Sequence, residues 1–276
     1  MREIKLVNNE GEEFDLTRPD ACLQDIGGIG MEIEFETVRI GQCDVVVDEQ
    51  PQYNPVSGMI PFMDMEPYTE FLQFIAKRPI TLAYKPKNVW YFTSVRVSVM
   101  EKEEITPVDE YAETDVDFYR LGPWYSTLRA EPYGRETQYP KQYNYTYPYC
   151  YVDSTAPGIL IQNPGRRESP CTIEILGHAV NPKWTLIQKD AEIASGAVTT
   201  EIKEGQKLVV RSETDRLEIA IYTMENEWVE DVYQQSDFST ARFIYAPPGE
   251  SMLKFSHEGS QELNVSVEVR AYYEAV

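Results

Sequence analysis

A chain of 276 residues with a 42% hydrophobic fraction and 12% aromatics can build packed cores, and that composition argues against intrinsic disorder. The formal net charge of −21 divides into −12 over residues 1–150 and −9 over residues 151–276. The acidity is therefore a property of the whole surface, and it excludes a general nucleic-acid binder, which needs cations to displace phosphate counterions.

The N-terminus, MREIKLVNNEGEEFDL, turns acidic by Glu10 and has no apolar core of leader-peptide length. We therefore expect no cleaved leader. Residues 27–30, GGIG, are followed by a strand pattern rather than a helix, so they read as a turn and not as a phosphate loop. In MEIEFE (31–36), Met31, Ile33 and Phe35 alternate with Glu32, Glu34 and Glu36. A period of two predicts a strand with one buried face and one carboxylate-lined face. Residues 41–55, GQCDVVVDEQPQYNP, read as an acidic loop.

The segment EPYTEFLQFIAKRP (66–79) places Tyr68, Phe71, Leu72 and Ile75 at helical spacing. Pro67 suits a first helical position, Lys77 and Arg78 suit the C-terminal end of the dipole, and Pro79 ends the segment. The aromatic stripe predicts core packing rather than a cofactor site. SVRVSVM near Val95 is the next strand.

Between residues 123 and 165 the chain becomes rich in Tyr, Pro and Gly. Tyr143, Tyr145, Tyr147, Tyr149 and Tyr151 occupy every second position of a stretch that would present one row of phenol rings if extended. We expect this row to form a domain seam, with stacking on sugars as its alternative. Strand patterns return at GILIQN (158–163), CTIEILG (171–177), KLVV (207–210), RLEIAIY (216–222) and NVSVEVRAYY (264–273). The expected fold class is mainly β, in two domains. We place these at residues 1–142 and 158–276, joined by a Tyr/Pro-rich connector at 143–157.

Candidate chemistry is sparse. His178 and His257 are the only histidines, and no Gly-x-Ser-x-Gly elbow is present. Cys22, Cys43, Cys150 and Cys171 lack metal-ligand spacing and read as free thiols of a reducing compartment. The 46 acidic residues offer many carboxylate pairs, so pairing by itself distinguishes nothing. Trp90, Trp124, Trp184 and Trp228 are dispersed. We expect no catalytic residue, no metal, no cofactor and no membrane insertion, and a role in binding or assembly.

Several segments, taken in order, resemble the distal tail protein family of long non-contractile-tailed bacteriophages. They are IKLVNNEGEEFDLT, GGIGMEIEFETVRIG, VSGMIPF with YTEFLQFIAKRPITLAYKP, YFTSVRVSVMEKEEI with VDFYRLGPWY, YNYTYPYCY, CTIEILGHAVNPKWTL and FIYAPPGESMLKFS. The resemblance implies an N-terminal β-sandwich-like ring domain with one α-helix and a C-terminal galectin-like β-sandwich. It also implies a structural role in a virion tail tip, assembled in the bacterial host cytoplasm. The expected partners are further copies of the chain in a hexameric ring, the tail tube protein, the tail-tip hub protein and a receptor-binding protein. DNA would pass through the ring, and Glu32, Glu34 and Glu36 are the candidate acidic lumen face. The alternative is a carbohydrate-binding or host-surface adhesion protein acting through the C-terminal sandwich.

Overall fold

The computed structural model describes residues 2–104, 112–130, 158–213, 216–259 and 263–276. The expected connector at 143–157, with the whole tyrosine row, lies outside the described residues. The chain divides into two compact units. Unit 1 comprises Met1–Ser126 with Tyr272–Val276, and unit 2 comprises Thr127–Ala271. The fold is mainly β, as the alternating sequence patterns predict.

Unit 1 contains β1 (Glu3–Val7), β2 (Glu13–Asp15), β3 (Glu32–Ile40), β4 (Cys43–Gln52), β5 (Val56–Phe62), α1 (Met65–Ala76), β6 (Ile80–Lys85), β7 (Tyr91–Glu104) and β8 (Ala112–Arg120), and β9 (Trp124–Ala130) begins in it. An antiparallel sheet runs in the order β2-β1-β6-β7-β8-β5. Strict alternation along β8 buries Ala112, Thr114, Val116, Phe118 and Arg120 and turns Asp115 and Tyr119 outward. The free side of β5 is closed by residues 21–27 through bridges Ala21↔Phe62 and Gln24↔Met59. Gly28 follows with a positive φ of 75°, and a Cβ there would lie 1.8 Å from the Pro55 carbonyl oxygen. Gly28 is thus packed against backbone in a conformation where only glycine fits, and no helix follows that could make GGIG a phosphate loop.

Helix α1 is capped by Asp64, whose carboxylate accepts from the Glu66 N–H at 3.4 Å. Its buried residues are Pro67, Tyr68, Phe71 and Phe74, with Leu72 and Ile75 half-buried. Phe71 and Phe74 meet Phe14 at ring separations of 5.2 and 5.7 Å, and Tyr68 meets Phe62 at 5.3 Å. The predicted stripe is therefore core, with Phe74 added to it. Two details differ from expectation. The helix starts at Met65, so Pro67 lies inside the first turn, where its missing N–H has no intrahelical partner to lose. The helix also ends at Ala76 with no basic residue in its last turn. Lys77 reaches instead to Glu10 and Glu12, both at 2.8 Å.

Beyond β9, unit 2 contains β10 (Gly158–Asn163), β11 (Ser169–Leu176), β12 (Ala179–Val180), β13 (Lys183–Gln188), β14 (Ala191–Ala197), β15 (Glu201–Ile202), β16 (Gln206–Glu213), β17 (Arg216–Thr223), β18 (Trp228–Asp231), β19 (Tyr245–Ala246), β20 (Gly249–Ser256) and most of β21 (Asn264–Tyr273). One antiparallel layer runs β10-β20-β13-β14. The other runs β21-β11-β16-β17-β18. Their facing side chains form one core. Ile159, Ile161, Trp184, Leu186, Leu253 and Phe255 come from the first layer. Ile173, Ile175, Leu208, Val210, Ile219, Ile221, Val267 and Val269 come from the second. The arrangement is a two-layer sandwich, each strand contributing alternate residues.

Candidate assembly surface

Among the described residues, strands β3 and β4 pair only with each other, from Glu32↔Gln52 to Ile40↔Cys43. A two-residue turn, Gly41-Gln42, joins them, with Gly41 at a φ of 65°. The segment expected to be an acidic loop is therefore mostly strand. At about 3.3 Å per residue the ribbon is roughly 30 Å long. All but its base is exposed.

Residues directly opposite in an antiparallel pair share a face. Glu32, Glu34 and Glu36 thus lie on one face with Gln52, Gln50 and Asp48. The Gln52 amide donates to Glu34 at 2.6 Å, and the Asn54 amide donates to Glu32. Glu36 stands opposite Asp48, a like-charge pair with no cation between them in the ladder. The other face of the same half carries Ile33, Phe35 and Pro51, with Glu49 opposite Phe35. The sequence expectation of a buried face is corrected here: Phe35 is 61% exposed and Met31 46%. Alternation assigned these residues to one face, but no other part of the described chain covers it.

Between Glu36 and Thr37 the register shifts by a β-bulge. Beyond it the face that carried carboxylates carries Val38, Val45, Ile40 and Cys43. Val38, Val45, Val46 and Val47 are all exposed, and Ile40 is 64% exposed. The ribbon thus exposes apolar side chains mainly on one face at its base and on the opposite face at its tip. The sequence reading missed this tip. The run Val45-Val46-Val47 beyond a Gly-Gln turn was the signal for it.

The base of the ribbon is anchored by Arg120, which is buried in unit 1. Its Nε donates to the Asn54 carbonyl at 2.9 Å. Its guanidinium lies 5.7 Å from the centroids of both the Tyr53 and Trp124 rings. Burial pushes its pKa below the usual arginine value. The chain immediately after β4 is thereby tied to the end of β8.

The other candidates separate clearly. His178 Nε2 lies 3.1 Å from Glu201, and His257 Nδ1 accepts the Gly259 N–H at 3.2 Å. Trp124 and Trp184 are fully buried, whereas Trp228 is 62% exposed. Cys22, Cys43 and Cys171 are unbonded thiols. Among the described residues no cluster of three His, Cys, Asp or Glu could hold a metal ion, and no helix is long and apolar enough to cross a membrane. In unit 2, the outward face of β21, β11, β16 and β17 carries a network of ion pairs. These are Lys207–Glu174 and Arg211–Glu218 at 2.8 Å, and Arg270–Glu213 at 3.0 Å.

Among the described residues, the exposed apolar side chains of the β3–β4 ribbon are the surface best suited to contact with a partner chain. Residues 3–120 match the family described as "Distal tail protein, N-terminal domain". No curated protein matches the chain by sequence. Among solved structures, a chain of the phage p2 baseplate in its activated conformation with calcium is similar at a TM-score of 0.70, with 12% identity and 100% of both chains covered. The Dit protein of phage SPP1, described as a paradigm of hub adsorption apparatus in phages infecting Gram-positive bacteria, is similar at a TM-score of 0.59. That match has 13% identity and covers 97% of this chain and 98% of the other. At such identities these two likenesses concern the fold.

Proposed function

We propose that the chain closes into a ring, a hexamer in our reading, through its β3–β4 ribbon. The ring joins the phage tail tube to the tail-tip hub and leaves an opening for DNA. The observation that carries this reading is the ribbon itself. A lone two-stranded hairpin is marginal in water, and this one exposes Phe35, Val38, Ile40 and Val45–Val47. Covering one such side chain contributes about 1.5–3 kcal/mol. Apolar residues on opposite faces of its two halves suit a strand pair gripped from both sides by neighbouring copies. A heterologous contact of that kind generates a closed ring when its rotation closes.

The role is architectural rather than catalytic, and the site is the virion tail tip after assembly in the host cytoplasm. The acidic row Glu32, Glu34 and Glu36 remains our candidate lumen face, because repulsion lets a polyanion slide without sticking. The tail tube protein, the hub protein and a receptor-binding protein are the proposed partners. The tyrosine row at 143–151 and the boundaries 1–142 and 158–276 belong to the same proposal.

Sedimentation of the purified chain tests the ring. We expect a species near six subunits, or a concentration-dependent approach to it. Phe35→Ser with Ile40→Asp should give a folded monomer. A wild-type chain that stays monomeric at high concentration and is retained on cell-wall polysaccharide would favour the adhesion reading and end this one.

A further inference from the structure

We infer that the outward face of the β21-β11-β16-β17-β18 layer in unit 2 is a binding site for a neutral oligosaccharide. Register arranges that face as a grid. Glu268 stands opposite Thr172, Thr172 opposite Arg211, and Arg211 opposite Glu218. Two residues along each strand, Ser266, Glu174, Val209, Ala220 and Asp231 line up in the same way. The five strands span about 19 Å from first to last.

Two cavities open on this face and share Arg216. The first, of about 430 Å³, is lined by Arg129, Thr172, Glu174, Arg211, Ser266 and Glu268 among others. Four arginines and three glutamates surround it, a nearly neutral set in a chain of net charge −21. Glu174 is held by Lys207, Arg211 by Glu218 and Glu213 by Arg270, so these groups are oriented before a ligand arrives. The side chains of Arg129, Thr172, Ser266 and Glu268 make no hydrogen bond or ion pair to another described residue, and their donors and acceptors stand open to the cavity. A hydroxyl donates and accepts at once. A lattice of guanidinium donors and carboxylate acceptors with little net charge therefore suits a polyol better than an ion.

The second cavity, of about 470 Å³, adds an aromatic platform. Trp228 stands opposite Tyr222, which packs with Val209 and Ala220 on the same outward face, and it is 62% exposed. The small Ala220 leaves room beside the indole, edged by Arg216, Glu218 and Asp231. A flat apolar ring beside fixed polar groups matches a pyranose, which has an apolar C–H face and a hydroxylated rim. Two cavities side by side across the strands call for a ligand longer than one sugar unit.

The site uses no ribbon residue, so ring closure and sugar binding can fail separately. The test titrates the full-length chain by calorimetry with cellotetraose, maltotetraose, mannotetraose and the N-acetylglucosamine tetramer. Tetragalacturonate and the glucosamine tetramer are the charged controls. We expect saturable binding of at least one neutral tetramer, unchanged by added salt, with a shift of the Trp228 indole N–H resonance. Trp228→Ala and Glu268→Ala alter exposed side chains and should keep the wild-type thermal midpoint. Each should weaken binding at least about tenfold. Phe35→Ser with Ile40→Asp should bind as the wild type does. Four silent neutral tetramers overturn the proposal, as does tighter binding of a charged control or binding that either variant leaves intact. An oligomer that binds no tetramer and that Trp228→Ala disperses would make this face a contact between copies instead.

Discussion

Cys43 and Cys171 place the same thiol in opposite surroundings. Cys43 is exposed at the ribbon tip, opposite Ile40. Cys171 is buried in the unit 2 core, and burial pushes its thiol up to about 12. A disulfide reagent at mildly alkaline pH should modify Cys43 in the native chain and leave Cys171 untouched until unfolding. Peptide mapping of the modified protein checks this, and early labelling of Cys171 would contradict its burial. Arg120 makes a second residue-scale case. Truncating it to alanine removes both the bond to Asn54 and the packing against two rings. The expected cost is roughly 2–4 kcal/mol, read from the urea midpoint. Arg120→Met should retain most of the stability, because a well-packed apolar chain replaces a buried cation at little cost. Neither surrounding was visible in the residue type. Four scattered cysteines and one arginine among 25 cations carry no mark of burial.

Elements were more legible where one chain segment decides its own partner. The stripe Tyr68, Phe71, Leu72 and Ile75 identified α1 because a helix repeats every 3.6 residues whatever it packs against. The end of that helix was less legible. Lys77 belongs to a long-range contact with the turn after β1, where Glu10 and Glu12 hold its pKa above the usual lysine value. Hydrogen bonds from Lys77 and Asn8 hold the Glu12 carboxyl below its ordinary range. The signs follow from linkage. The Glu12 contribution is present above the unfolded carboxyl pKa and is lost as pH falls through the depressed folded value. The Lys77 contribution is present below the unfolded lysine pKa and is lost as pH rises through the raised one. Both groups face solvent, so salt should screen the effect. In Lys77→Gln, the NMR titration of Glu12 should move to higher pH, and high salt should shrink the difference between the two proteins. An unchanged titration would remove the contact. For the ribbon, alternation in MEIEFE identified a strand and its two faces. It could not say what covers the apolar one, and the charges within 41–55 masked the partner strand.

On the scale of the molecule, the β class was already present in the short alternating runs separated by turn residues. Each run needs only local stereochemistry to choose its pleat. The ordered set of motifs also resembled the distal tail protein family, and the match of residues 3–120 to that family's N-terminal domain agrees with the resemblance. The grouping of Tyr272–Val276 with the first unit was not foreseeable, because it depends on contacts across almost the whole chain. The outward face that gathers Glu268, Arg211 and Trp228 was equally hidden, since β21, β16 and β18 come to one side only through the sheet order.

The sequence by itself determined the mainly β class, the single amphipathic helix and the acidic row on one strand face, because periodicity and charge are local properties. Only the tertiary structure decided that Ile33, Phe35 and the valines of β4 stand on a ribbon that pairs with nothing else in the described chain. Burial is a property of what lies opposite a face, and the pattern of residues along a strand does not contain it.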